Sequence, residues 1–293
     1  MCRRLPHIKI IFNQNILKYL LVFIFISSKL FANTITSSIH NEVGESSYIV
    51  KDRINLAQAK LIFPISSTLY GISYAYKLKE FTIKFYANNI LKNNTSKNNK
   101  DFDWINNELV IYSESKNTIQ KNRKFILSFY KNTNHNLFNN CGISLENKSY
   151  LFISSNTKQI DLKTNTEQIV LGNTLKYKQT INKLSLDFIR NKKRNSFQYK
   201  ISINYYFINS EDTHILRDIK MTTYSEGFGY LFELGYKLNF NKKHNISITY
   251  SKESFQSNIV DMNYYKNHSF YKKHPSSIKI YLNTIGLNYS YIF

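Results

Sequence analysis

Two short stretches of this 293-residue chain place acidic side chains and a histidine at spacings that suit hydrolysis. One is Asp-Phe-Asp-Trp at positions 101–104, which holds the only tryptophan, and the other is Asp-Thr-His at 212–214. In extended backbone, residues two apart lie on the same face. Asp101 and Asp103 are therefore expected to project together, and so are Asp212 and His214.

This arrangement points to a water molecule activated by a general base. An aspartate beside a histidine holds the imidazole in one tautomer and raises its basicity. Two carboxylates that face such a base can hold the water, and their proximity favours sharing one proton. Each stretch alone is also typical of charge in a solvated loop. However, three of the eight aspartates fall in these two stretches together with a histidine, which favours a joint catalytic site of Asp101, Asp103, Asp212 and His214.

The elements that must position these residues are β-strands. The C-terminal strand alternates apolar and aromatic residues with small polar ones, the first set being Ile285, Leu287, Tyr289, Tyr291 and Phe293. This alternation is typical of a strand between lipid and a watery lumen. The same period of two runs through Phe197–Phe207 and Phe81–Ala87. We therefore expect an all-β protein, an antiparallel transmembrane β-barrel with long extracellular loops.

Ten strands are predicted, an even number that lets both termini lie on one side, although eight or twelve remain open. Short basic connections at 77–79, 191–195 and 241–244 fit periplasmic turns. Long polar connections at 90–106, 210–226 and 259–281 fit outward-facing loops, two of which hold the candidate catalytic residues. The predicted strands are Ser46–Asp52, Ala57–Tyr76, Phe81–Asn89, Asn107–Tyr130, Asn136–Ser155, Glu167–Leu186, Phe197–Asn209, Phe228–Phe240, Asn245–Asn258 and Leu282–Phe293.

The first 32 residues have the pattern of a secretory signal peptide, with basic residues before an apolar run at 19–26 and small residues after it. Residues 33–293 then form one barrel domain, and no later stretch has the roughly 18 apolar residues of a spanning helix.

The net charge is +21, and the five basic residues of the signal segment reduce it to +16 when removed. At a membrane, anionic lipid headgroups are the expected partner of this charge.

Other kinds of site find little support in the sequence. A nucleic-acid partner is not expected, because the chain has no module in which aromatic and basic residues alternate along a strand-binding surface. Zinc-ligand spacing, a Gly-rich phosphate loop and a serine nucleophile elbow are all absent from the sequence, so no cofactor is expected. Cys141 is the only cysteine after the signal segment.

The two stretches, the Tyr-Lys-Gln run at 177–179 and the closing strand to Phe293 together resemble the omptin family of outer-membrane barrel proteases. The resemblance implies an aspartic-type endopeptidase on the outer membrane of a Gram-negative bacterium, with its active site facing outward. It implies that His214 activates the water, that Asp212 orients His214, and that Asp101 and Asp103 complete the water site. It also implies cleavage of peptides or proteins near basic residues without a covalent acyl-enzyme.

The resemblance leaves two points open. Omptins bind a basic substrate side chain with acidic groups in the groove, but Ser210 stands two before Asp212, and Glu45 is only a candidate for the other acid. Omptins also require lipopolysaccharide, and Glu146 and Lys148 fall where part of that exterior binding motif is expected, although Thr180 replaces a basic residue.

The alternative from a different functional class is a barrel without catalysis, namely an adhesin, a structural protein or a small pore. A barrel of this size leaves a lumen mostly filled by side chains, so little conductance is expected. The natural substrate and the oligomeric state are left open by the sequence.

Overall fold

The structure is a computed structural model that describes residues 33–52, 56–95, 97–133, 135, 137–191 and 195–293. The predicted signal peptide lies outside the described residues. Apart from one 3₁₀ turn at Ile215–Arg217, the regular elements are antiparallel strands. Their bounds are β1 Asn33–Asp52, β2 Ala57–Leu78, β3 Phe81–Asn93, β4 Asn99–Ile105, β5 Glu108–Asn132, β6 Asn140–Asp161, β7 Thr166–Arg190, β8 Ser196–His214, β9 Ile219–Asn239, β10 His244–Gln256, β11 Val260–Lys266 and β12 Ser269–Ile292.

These twelve strands occupy ten positions around a closed barrel. β3 and β4 share one position, since both lie between β2 and β5, and β10 and β11 share another between β9 and β12. β1 closes the ring by pairing with β2 on one side and β12 on the other, from Thr34–Ile292 to Val50–Ser276. The predicted antiparallel barrel is confirmed, and its ten positions agree with the predicted number of strands.

The structure corrects the predicted strand bounds and loops. β1 begins at Asn33 rather than Ser46, because Ser37 and Asn41 interrupt the apolar outer face of Ile35, Ile39 and Val43 and hide its period of two. The three long connections are not loops but continuing hairpins, made by β4, by the ends of β8 and β9, and by β11 with the start of β12. β4 and β11 have only seven residues each and lie next to polar stretches, so their short alternation does not distinguish a strand from a loop.

Eight of the strands have 19 to 25 residues, whereas a bilayer requires about 9–11 residues per strand. On β8 the outward residues from Phe197 to Phe207 are aromatic or apolar, and Asn209, Glu211 and Thr213 continue the same face as polar residues. The lipid-facing belt therefore ends near Phe207. The part of the barrel beyond Phe207, at the end away from Asn33 and Phe293, projects out of this belt, and we call it the projecting half.

Exposed apolar side chains of the other strands extend this belt around the barrel, among them Ile35, Ile39, Val43, Tyr70, Ile72, Phe129, Ile143, Leu184, Leu186, Phe232, Leu234, Ile248, Ile285 and Leu287. Such a continuous apolar exterior is what lipid contact requires. No helix in the described part of the chain has the length and apolar character needed to cross a bilayer.

Ion pairs fill the interior at the level of the belt. Glu42 binds Lys148 at 2.5 Å and accepts hydrogen bonds from Tyr150 at 2.8 Å and Asn122 at 2.9 Å. Beside it, the ammonium of Lys183 contacts Glu146 at 2.9 Å and Glu253 at 2.7 Å. Each of these buried charges thus has an opposite charge within 2.9 Å, which is the condition under which burial of charge is tolerated.

An aromatic layer covers these ion pairs and forms the floor of the projecting half. The ring of Phe63 stacks on Tyr177 with 4.3 Å between centroids, and Phe152 lies 5.4 Å from Phe63. Tyr48 packs against Tyr177 at 5.7 Å. All four rings are at most 1% exposed. This layer fixes the position of Tyr48, which the candidate site uses.

We expect Lys183→Met to destabilise the barrel by about 3–5 kcal/mol, because it leaves the carboxylates of Glu146 and Glu253 buried without a counter-charge. Urea unfolding in lipid vesicles, followed by the fluorescence of Trp104, measures the difference. Lys279→Met, on an exposed side chain, is the matched control and should unfold with the wild type. Equal stability of Lys183→Met and the control would show that the ion-pair layer contributes nothing.

Candidate active site

The candidate residues lie on nearly opposite walls of the projecting half. Asp101 and Asp103 are on β4, where they pair with Leu61 and Ala59 of β2. Asp212 and His214 end β8, four positions away in the ring of ten. Antiparallel closure therefore brings the two couples to face each other across the barrel mouth, as the strand order predicts.

Local turns set both couples in place. β4 and β5 are joined by Asn106 and Asn107, whose φ angles of 53° and 66° are those of a two-residue hairpin turn that Asn favours. On the opposite wall, the 3₁₀ turn directly follows His214, and Asp218 ends it with a φ of 46°. The 3₁₀ turn brings Arg217 to the rim beside His214.

Asp101, Asp103, His214 and Arg217 line one cleft of about 250 Å³. The cleft opens at the projecting end, and its remaining walls come from β2, β5, β6 and β7. Asp212 is only 1% exposed, on the inward face of β8 two residues before His214. Three of the four candidate side chains thus share one solvent space, with the fourth adjoining His214.

The Asp212–His214 couple is close but not hydrogen-bonded. The distance from His214 Nε2 to Asp212 Oδ2 is 3.8 Å, which is too long for a hydrogen bond. Asp212 Oδ2 instead accepts a short hydrogen bond from the Tyr48 hydroxyl. Asp212 Oδ1 and His214 Nε2 are buried and have no hydrogen-bonding partner in the described protein. The expected contact between the two therefore requires a small movement of the imidazole.

The pKa values of both carboxyl groups on β4 are raised. Burial raises the pKa of Asp101 well above its usual range, and the negative charges of Asp103 and Asp212 raise it further. Burial also raises the pKa of Asp103, against the opposing charges of Arg217 and His214. Because the charge of Asp212 on β8 raises the pKa of Asp101 on β4, the carboxyl groups of the two walls face the same space.

Burial and the neighbouring groups act on the pKa of Asp212 in opposite directions. Burial raises this pKa and has the larger effect, while the His214 charge and the Tyr48 hydroxyl lower it. Burial and the Asp212 charge raise the pKa of Tyr48, so its hydroxyl remains a donor. This hydrogen bond orients the carboxylate that lies behind the histidine.

Sequence reasoning missed three residues of this region. Tyr48 belongs to no motif, and its contact with Asp212 spans 164 positions in sequence. Arg217 lies one 3₁₀ turn after His214, and this closeness could not be predicted because a long loop was expected there. Tyr264 on β11 faces the same carboxylates, since burial and then the charges of Asp212 and Asp103 raise its pKa.

The predicted lipopolysaccharide contacts of Glu146 and Lys148 are wrong. Both side chains point into the barrel, where they are 8% and 2% exposed and form the ion pairs described above. Neither can reach a lipid on the exterior.

Glu45, the candidate for a groove acid, is exposed on the outward face of β1 and does not reach the cleft. Among the residues described, no group of three or more His, Cys, Asp or Glu is arranged to hold a metal ion.

Comparison with known proteins gives the fold. No protein-family model and no curated protein matches the sequence. The structure is similar to the outer membrane protease OmpT of Escherichia coli, with a TM-score of 0.72 and 13% identity over 90% of this chain and 98% of that one. The translocator domain of the autotransporter NalP of Neisseria meningitidis gives a TM-score of 0.43 at 7% identity, covering 96% of both chains. The match to OmpT shows that the chain has the fold of an outer-membrane β-barrel.

We expect Asp101→Asn to stabilise the barrel at pH 8 by on the order of 1 kcal/mol. In the wild type, stability falls as pH rises from about 3.8 through the raised pKa of Asp101, because the unfolded chain loses the proton first. Asparagine removes this loss, so the advantage should vanish near pH 4. Urea midpoints at both pH values test it, with the exposed Asp261→Asn as control. An advantage independent of pH would contradict the assigned cause.

Proposed function

We propose that this protein is an outer-membrane endopeptidase that hydrolyses peptide bonds by direct attack of a water molecule. The observation that carries the proposal is the meeting of Asp101, Asp103 and His214, from opposite walls, in one cleft at the open end of the barrel. The similarity of fold to an outer membrane protease supports it. Asp101 Oδ1 has no hydrogen-bonding partner in the described protein, which leaves this carboxyl able to bond to a substrate.

In this mechanism, the imidazole of His214 accepts a proton from water at the nitrogen turned away from Asp212, while the water oxygen bonds to the peptide carbonyl carbon. Asp212 stabilises the imidazolium that forms, and the Tyr48 hydroxyl holds Asp212 in place. The proton then passes to the amide nitrogen, the C–N bond breaks, and the products are a carboxylic acid and an amine. No bond to the enzyme forms at any step.

The two carboxyl groups of β4 take different parts. Asp103, beside the positive charges of Arg217 and His214, is the group that accepts a hydrogen bond from the water as an anion. Asp101 has the more strongly raised pKa and can donate a proton toward the carbonyl oxygen as negative charge develops there. Such a division is the expected behaviour of two carboxyls that cannot both ionise.

The proposed location is the outer membrane of a Gram-negative bacterium, with the cleft facing outward. Asn33 and Phe293 lie at one end, as the periplasmic ends of such strands do, and the strands that project beyond the apolar belt lie at the other end. Peptides or proteins at the cell surface would then be the substrates. Lipopolysaccharide remains a proposed partner of the exterior, where Lys252 lies 5.3 Å above the ring of Tyr281 near the belt's edge.

The refolded protein should cleave quenched peptides from a mixed library, tested with and without lipopolysaccharide. We expect Asp212→Ala and His214→Ala each to lower kcat/KM by about 10²–10⁴-fold, because each removes part of the general base. His268→Ala, on an exposed histidine in the β11–β12 turn, should cleave like the wild type. If the wild type cuts no peptide faster than both active-site variants, the barrel is not catalytic.

Tyr48→Phe isolates the positioning of Asp212. The ring packing against Tyr177 persists while the hydroxyl is lost, so we expect kcat to fall by about tenfold with KM little changed. The acidic limb of the pH–rate profile should also shift, since one group that favours ionised Asp212 is gone. A loss of folding without any change in the pH profile of the remaining activity would assign Tyr48 a structural part only.

A further inference from the structure

Much of the lining of the cleft consists of uncharged polar side chains. They come from β4, β5, β6 and β7 and include Asn99, Ser113, Ser115, Ser154, Thr157 and Thr174. Apart from Asp101 and Asp103, no carboxylate is among the lining residues. Arg217 lies at the rim of the cleft, whereas the exposed ammonium of Lys100 contacts Glu114 at 3.7 Å on the face of β4 away from Asp101 and Asp103. Beyond the two catalytic carboxyls, the lining therefore offers a substrate cation no counter-charge.

We propose that the cleft is the subsite for a substrate side chain beside the cut bond, and that it selects an uncharged polar side chain such as glutamine, asparagine, serine or threonine over lysine and arginine. This inference rests on the proposed peptidase function and names its substrate class. It departs from the basic preference that the family resemblance implies.

The size of the cleft suits one side chain. Its volume of about 250 Å³ lies below the range of about 300–1,000 Å³ that is typical of whole small-molecule sites. Leu61, Phe63 and Leu175 form apolar parts of the lining. A short aliphatic stem can pack there while its polar end reaches the hydroxyl and amide groups, a combination that glutamine provides.

Asn99 supplies an unsatisfied group for that polar end. Its side chain is 6% exposed, and its amide nitrogen donates to Ser154 Oγ at 2.5 Å. Its carbonyl oxygen Oδ1 is buried and has no hydrogen-bonding partner in the described protein. If the amide is turned the other way, a buried donor is left instead. Either orientation leaves one polar group of an uncharged amide in the cleft lining, and leaving such a group unpaired costs about 1–3 kcal/mol.

A basic side chain would find no counter-charge of its own in this cleft. Its cation would enter a space whose rim carries Arg217, without a carboxylate beyond those assigned to the reaction. The interior next to Asp212 offers none either: Ser46 donates to Gln179 at 3.2 Å, and Gln179 donates to the Tyr177 hydroxyl at 3.0 Å. These buried groups are uncharged and already bonded to one another.

The test digests a peptide library with the refolded full barrel and locates every cut by mass spectrometry. The wild type should show uncharged polar residues enriched at one position next to the cut bond, and lysine and arginine depleted there by about tenfold. Enrichment of lysine or arginine at that position would overturn the inference and leave the peptidase proposal standing. Absence of cutting by the wild type would overturn both.

Asn99→Asp places a carboxylate in the cleft at constant size, and we expect it to shift the preference toward lysine and arginine by about tenfold. Ser113→Asp, on the same wall but more accessible, makes the same test if the first variant does not fold. Asn209→Asp adds the same charge on the exposed outer face of β8 and should keep the wild-type profile. Unchanged preference in folded Asn99→Asp and Ser113→Asp would show that the cleft does not receive the side chain.

Discussion

The pairing of β1 with β12 is the interaction on which the rest of the structure depends, because it converts a run of hairpins into a closed barrel. Within a bilayer, every backbone amide and carbonyl must find a partner inside the protein, and closure removes the last unpaired edges. Closure also fixes the distance across the mouth. β4 and β8 would lie far apart in an open sheet, but in a ring of ten positions they face each other.

The interior shows how charge is distributed along this barrel. At the level of the belt, Glu42, Glu146 and Glu253 each have a lysine within 2.9 Å, so their charges are compensated. Above the aromatic layer, Asp101 and Asp212 lack such a lysine or arginine contact among the described residues, and burial raises the pKa of both. The membrane-level part of the barrel thus pairs its buried charges. The cleft instead holds buried carboxyl groups with raised pKa values, which is a common property of catalytic acids and bases.

Much of this organisation could be predicted from the sequence. The lipid-facing period of two in 197–207 and 285–293 gave the barrel, and the strand order placed the two short stretches on facing walls. A strand of only seven residues, such as β4 or β11, gives too short an alternation to be told from a loop by the sequence. Long-range contacts such as Tyr48 with Asp212 leave no trace in local pattern.

The orientation of Glu146 and Lys148 could have been predicted. Ile143 and Leu145 occupy the outward face of β6. Because successive residues of a strand point to opposite faces, Glu146 and Lys148 must point into the barrel. A family resemblance suggested the opposite face, and a shift of one residue in a strand moves every side chain to the other side. Direct alternation is the better guide in such a strand.

The claim that both couples act on one water molecule is tested most directly by a double-mutant cycle on kcat/KM with Asp103→Asn, His214→Ala and their combination. Groups that serve one reacting water act as a unit, so the double variant should be little slower than the slower single variant. Losses that multiply in the double variant would mean that the two walls act independently, which contradicts a shared site.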